Sequence, residues 1–139
     1  MRTLFGLLLL FAAVACNKND DVPAEKPTIK KIEWQVHASD AYTDPWLDAM
    51  TAKVAIRIYK SDTVNQKTAI IWDTTFATRT IRQYPVLPQK HVIEKEILVR
   101  RTERLQSWYN IRYEMNGTAS EMGHMQMVYK PFTFVDIRL

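Results

Sequence analysis

Ala52-Lys53-Val54-Ala55-Ile56-Arg57-Ile58-Tyr59-Lys60 is the stretch that decides the fold. Val54, Ile56 and Ile58 recur at every second residue with Lys53 and Arg57 between them. A period of two places all three β-branched side chains on one face of an extended strand, whereas a helix would scatter them around its axis. The same alternation precedes it: Ile32, Trp34 and Val36 against Lys31, Glu33 and Gln35. Downstream, Ser61-Asp62 and Asn65-Gln66 mark a turn, and Thr68 to Phe76 brings Ile70 and Trp72 to one face, so a hairpin with the 52–60 strand is expected.

The remainder of the chain keeps this period. Between Ala77 and Gln89, Pro85 and Pro88 exclude a central strand and leave a short edge strand or a loop. From His91 to Arg101, Ile93, Ile97 and Val99 share a side with Lys95, and an inward charge is one device by which edge strands resist pairing with strangers. From Gln106 to Met115, Tyr109, Ile111 and Tyr113 alternate with Asn110, Arg112 and Glu114. They run into Asn116-Gly117, a dipeptide suited to a tight hairpin turn. Met125, Met127 and Tyr129 alternate again, and Phe132 to Leu139 is apolar on both faces, the pattern of an interior strand. About seven strands at spacings of roughly 8 to 12 residues predict an all-β fold, an antiparallel β-sandwich, with a small β-barrel as the alternative. The pattern resembles immunoglobulin-like or transthyretin-like sandwiches and no specific family.

The N-terminus carries a different message. Met1 and Arg2 precede an apolar run from Leu4 to Phe11 and the small residues Ala12, Ala13 and Ala15, which is the layout of a signal peptide. The run is shorter than the roughly 18 residues that a spanning helix needs. Ala13-Val14-Ala15-Cys16 resembles the lipobox of bacterial lipoproteins, with Ala13 where leucine is commoner. That resemblance implies residues 1–15 as a lipoprotein signal peptide, an acyl (palmitate-type) lipid anchor on Cys16, residues 16–27 as a flexible tether with Pro23 and Pro27, and residues 28–139 as the β-sandwich domain. Cys16 is the only cysteine in the chain, so it has no intramolecular disulfide partner. Asn17-Lys18-Asn19-Asp20-Asp21 resembles the acidic export signal of Bacteroidota lipoproteins. It implies an outer-membrane lipoprotein displayed at the cell surface, with the periplasmic face as the alternative.

Composition and motifs narrow the function. A 47% hydrophobic and 24% charged chain of 139 residues is an ordinary globular protein of one domain. The net charge of +4 sits in short clusters (Lys30 with Lys31; Arg100, Arg101 and Arg104) that do not line one helical face, so nucleic acid is not an expected partner. The chain has three glycines, Gly6, Gly117 and Gly123, too few for a phosphate-cradling loop, and no Gly-x-Ser-x-Gly elbow. No residue is assigned as catalytic. An enzyme would need carboxylates such as Asp44, Asp48 and Glu121 to converge through the fold.

Two stretches are left as candidate sites. The loop from His37 to Thr51 carries Tyr42 and Trp46 among Asp40, Asp44 and Asp48, and suits either sugar stacking or capping of the core. Trp108, on the strand face opposite Tyr109 and Ile111, is a further aromatic anchor. Met122, His124, Met125 and Met127 are soft ligands suited to copper(I), but on a strand Met122 and His124 share one face and Met125 and Met127 the other. Methionines filling the core are the more ordinary reading. The expected function is therefore that of a lipid-anchored, non-catalytic envelope or cell-surface binding protein that recognises another envelope protein or a glycan. It needs no cofactor beyond the lipid on Cys16. A periplasmic copper(I)-binding protein is the alternative.

Overall fold

Val54, Ile56 and Ile58 are fully buried in a computed structural model of the chain, which describes residues 25–39 and 44–139. The described strands are β1 (Thr28–His37), β2 (Thr51–Asp62), β3 (Lys67–Thr75), β4 (Arg79–Thr80), β5 (His91–Val99), β6 (Glu103–Met115), β7 (Thr118–Met127) and β8 (Phe132–Arg138). Two short 3₁₀ helices, Pro45–Ala49 and Ile81–Gln83, interrupt them. The strands form two sheets, β5-β1-β8 and β3-β2-β6-β7, with the two-residue β4 added to β2. This is the expected sandwich, and neither sheet closes into the alternative barrel. The pairings are antiparallel apart from β1 with β8, which is parallel.

One core joins the layers. Ile32, Trp34 and Val36 of β1 and Val135 and Ile137 of β8 pack with Val54, Ile56 and Ile58 of β2 and Leu105 and Ile111 of β6. At its centre Trp34 is completely buried, and an indole there requires a partner for its N–H. Its Nε1–H donates to Ser107 Oγ of the opposite sheet at 2.9 Å, and its ring stacks on Trp72 of β3 with centroids 5.5 Å apart. Lys95 takes the predicted inward position on the edge strand β5, its Nζ lying 5.0 Å from the centre of the Trp72 ring. The indole face offsets part of the cost of turning that charge inward. Asn116 and Gly117 adopt φ of 51° and 78°, the left-handed pair that a two-residue hairpin turn requires.

Two expectations need correction. Phe132 to Leu139 reads as an interior strand, but β8 pairs with β1 alone and forms an edge, leaving Phe132 and Phe134 half-exposed on the outer face. The methionines of β7 do not fill the core either: Met122 and Met125 are about half-exposed. The larger sheet overhangs the smaller one at β7, where eight of ten residues are exposed.

Strand directions give the sandwich two distinct poles. From Thr28 to His37, β1 rises about 30 Å at roughly 3.3 Å per residue, and β8 runs parallel to it. Thr28 pairs with Val99, next to the β5–β6 turn, and Thr63 of the β2–β3 turn donates its N–H to Thr102 O. Lys30 Nζ donates to Val128 O and Tyr129 O, which brings in the β7–β8 link. The N-terminal side of the described chain therefore lies at this pole. Both 3₁₀ helices, the Asn116-Gly117 turn and Leu139 lie at the other, where Leu139 N–H donates to His37 O.

Two stability predictions follow from these contacts. Ser107→Ala leaves the Trp34 N–H buried and unpaired, and should cost about 1–3 kcal/mol in urea unfolding; an unchanged midpoint would show that the pair contributes nothing. The acid limb comes from carboxylates held below their ordinary range. The Arg100 N–H and then Lys60 hold Glu103 down, the Asn65 amide and the backbone of its own turn hold Asp62 down, and Lys31 holds Glu94 down. A depressed carboxylate stabilises the fold above its unfolded pKa, about 4, and loses that contribution as pH falls through the folded value. Stability should therefore decline below about pH 4, and Glu103→Gln should make that decline shallower. An identical acid limb in the variant would remove Glu103 from the account.

Candidate functional site

The pole opposite Thr28 holds a cleft of about 660 Å³. Its wall begins with the helix Pro45–Ala49, where proline pre-sets the first turn. Neighbouring residues of a 3₁₀ turn point about a third of a revolution apart. Leu47 accordingly turns inward and caps the core, while Trp46 turns outward and remains 53% exposed. Met50 and Ile81 extend the apolar surface, and the two short helices are tied by the Ile81 N–H donating to Met50 O at 3.0 Å. An ion pair of Arg82 with Asp48 reinforces that tie. Behind them Tyr84 is buried with its O–H donating to Ala52 O at 3.1 Å, and burial pushes its phenol up from the ordinary value.

The other wall comes from strands distant in sequence. Tyr113 of β6 pairs with Ser120 of β7, and Ile111 with Met122, so Ser120 and Met122 extend the core-facing side of the large sheet beyond its cover. All of Tyr113, Ser120 and Met122 line the cleft. Arg138, at the end of β8, completes the rim with Asp44 and Ser39, and its Nη2–H donates to Ser39 Oγ at 2.7 Å. The arrangement is an apolar floor with an exposed indole, edged by a carboxylate, a guanidinium and hydroxyls. Such a surface stacks a flat C–H face and hydrogen-bonds the polar groups at its edge.

The residues singled out from sequence separate into several places. Trp46 and Met122 meet in the cleft. Tyr42 and Cys16 lie outside the described residues, although Ser39 and Asp44, on either side of Tyr42 in sequence, both line the cleft. Trp108 lies on the outer face of the large sheet, half-buried, with the Arg57 guanidinium 4.9 Å from its ring centre. His124 pairs with Tyr109, its ring 5.7 Å away, whereas Met125 and Met127 pair with Trp108 and Gln106 on the opposite face. Asp44, Asp48 and Glu121 do not share one site: of the three only Asp44 lines the cleft, Asp48 is engaged by Arg82, and Glu121 accepts from Asn110 Nδ2 at 3.2 Å on the outer face of β7.

Sequence reasoning missed Arg138, Tyr113, Ser120 and Ile81 as cleft residues. Arg138 and Trp46 are joined only by the parallel return of β8 beside β1, for which no local signal exists. Tyr113 was legible only as a core-facing residue of its strand. Comparison of the chain with protein-family models, with curated proteins and with solved structures finds no match.

The face assignment on β7 is testable with metal. In a copper(I) competition titration, Met125→Leu with Met127→Leu should leave any binding unchanged, because those thioethers cannot join Met122 and His124 from the other side of the strand. Loss of tight binding in that variant would contradict the assignment.

Proposed function

We propose that the chain is an outer-membrane lipoprotein, anchored through Cys16 and displayed at the cell surface, that binds a glycan in the Trp46 cleft and catalyses nothing. The observation that carries this reading is the position of the cleft: an exposed indole over an apolar floor, at the pole opposite the start of β1. A domain held through its N-terminal side presents that pole away from the membrane. Stacking of a sugar's C–H face on Trp46 supplies the apolar contact, and Asp44, Tyr113, Ser120 and Arg138 are the planar and hydroxyl groups that suit vicinal sugar hydroxyls. The separation of Asp44, Asp48 and Glu121 supports a binding role over hydrolysis, which requires a facing pair of carboxylates.

Two experiments test the parts separately. On the anchor, Cys16→Ser should move the protein from the membrane to the soluble fraction of the envelope, and unchanged membrane attachment would overturn it. On the ligand, an array of bacterial and host polysaccharides should retain the wild-type domain. Trp46→Ala should weaken that retention by at least about tenfold, the equivalent of one lost aromatic anchor, while Trp108→Ala leaves it intact. If no glycan is retained, and a photo-crosslinker at position 46 instead captures an envelope protein on intact cells, the glycan reading is replaced by the protein one.

A further inference from the structure

The pole from which the chain leaves toward Cys16 has a composition of its own. The three most exposed large apolar side chains among the described residues are Tyr129 at 74%, Val64 at 70% and Ile29 at 60%. They come from three separate segments, the β7–β8 link, the β2–β3 turn and the start of β1, and all three lie at this end of the sandwich. Phe132, at 49%, stands beside Tyr129 at the start of β8. Burying such groups requires an apolar environment that the domain itself does not supply.

Charge at the same pole is predominantly positive. Lys26, Lys67, Arg100, Arg101, Arg104 and Lys130 are exposed on the turns around these side chains and on the strand ends that adjoin them. The carboxylates among them are already engaged. Glu25 pairs with Arg101, Glu103 accepts from the Arg100 N–H and from Lys60, and Asp62 accepts from the amides of its own turn. Aromatic and aliphatic tips ringed by cations are the composition of a surface that settles into the headgroup layer of an anionic bilayer.

We infer that this pole is a second membrane contact, which docks the folded domain on the anionic, phosphate-bearing lipid headgroups of the bilayer that holds its anchor. The inference rests on the proposed attachment at Cys16. Eight residues lie between Cys16 and Glu25, so the nine steps from one to the other reach at most about 30 Å when fully extended. A link that short holds the pole at a millimolar effective concentration over the surface, so that weak headgroup contacts suffice. Tyr129, Val64 and Phe132 enter the interface, the arginines of the β5–β6 turn meet phosphates, and the Trp46 cleft stands about a β1 length above the surface.

The test uses the chain from residue 16 with Cys16→Ser, so that no lipid contributes, co-sedimented with phosphatidylcholine vesicles with and without phosphatidylglycerol. Binding is expected with phosphatidylglycerol only, weakening as salt rises. Arg100→Glu with Arg101→Glu and Arg104→Glu should weaken it by at least about tenfold, since each surface Lys or Arg is worth roughly fivefold. Tyr129→Ser should weaken it less, and Trp46→Ala should leave it unchanged. Thermal unfolding of each variant checks that exposed turn substitutions leave the fold intact. Absence of binding to phosphatidylglycerol vesicles, equal binding to both vesicle types, or indifference to the charge reversals would overturn the inference. Lipidation is read independently from the mass of the N-terminal peptide in the membrane fraction, so failure of the anchor and failure of the docking surface are told apart.

Discussion

The buried Trp34 indole is the contact on which the rest of the structure depends. It belongs to the central strand of the small sheet, yet its N–H is satisfied by Ser107 and its ring is stacked by Trp72, both in the large sheet. Apolar packing alone tolerates sliding of one layer on another, because it has no preferred direction. A directed hydrogen bond in a dry interior does not, since moving it leaves a donor unpaired. With β1 located against β6 and β3 in this way, the partners of β1 follow. β5 closes one side of the small sheet, and β8 returns parallel on the other and carries Arg138 to the cleft.

Much of this architecture was legible from residue pattern. The alternation at Val54, Ile56 and Ile58, the Asn116-Gly117 turn and the inward Lys95 each correspond to a local rule with a local cause. The failures share a different cause. Phe132 and Phe134 look like interior residues because an apolar side chain says nothing about whether a second layer covers it. Met122 looks like core filling because the overhang of one sheet past the other is a property of strand number, not of β7's own sequence, while Met125 is exposed because it pairs with Trp108 on the outer face.

The candidate site divides in the same way. Trp46 was visible because an aromatic in a proline-started, acidic loop has a limited set of uses. Tyr113, Ser120 and Arg138 were not, since each obeys the ordinary alternation of its strand and acquires a role only through where that strand ends. The parallel β1–β8 pairing is the decisive long-range element, and nothing in either strand specifies its direction. Function placed at the ends of strands is thus the part of a sandwich that local patterns describe least.

Two surfaces of opposite character occupy the two ends of one strand. An apolar cleft with an exposed indole lies beyond His37, and a cationic, aromatic pole surrounds Thr28. Under the proposed anchoring at Cys16, the Thr28 pole would face the bilayer and the cleft would face away. The most direct measurement is depth by spin labelling of the lipidated protein in anionic vesicles, with labels at positions 129 and 46 in turn. The account predicts that the label at 129 collides preferentially with a lipid-soluble relaxant, and the label at 46 only with a water-soluble one. Equal aqueous exposure at both positions, or membrane contact at 46, would contradict it.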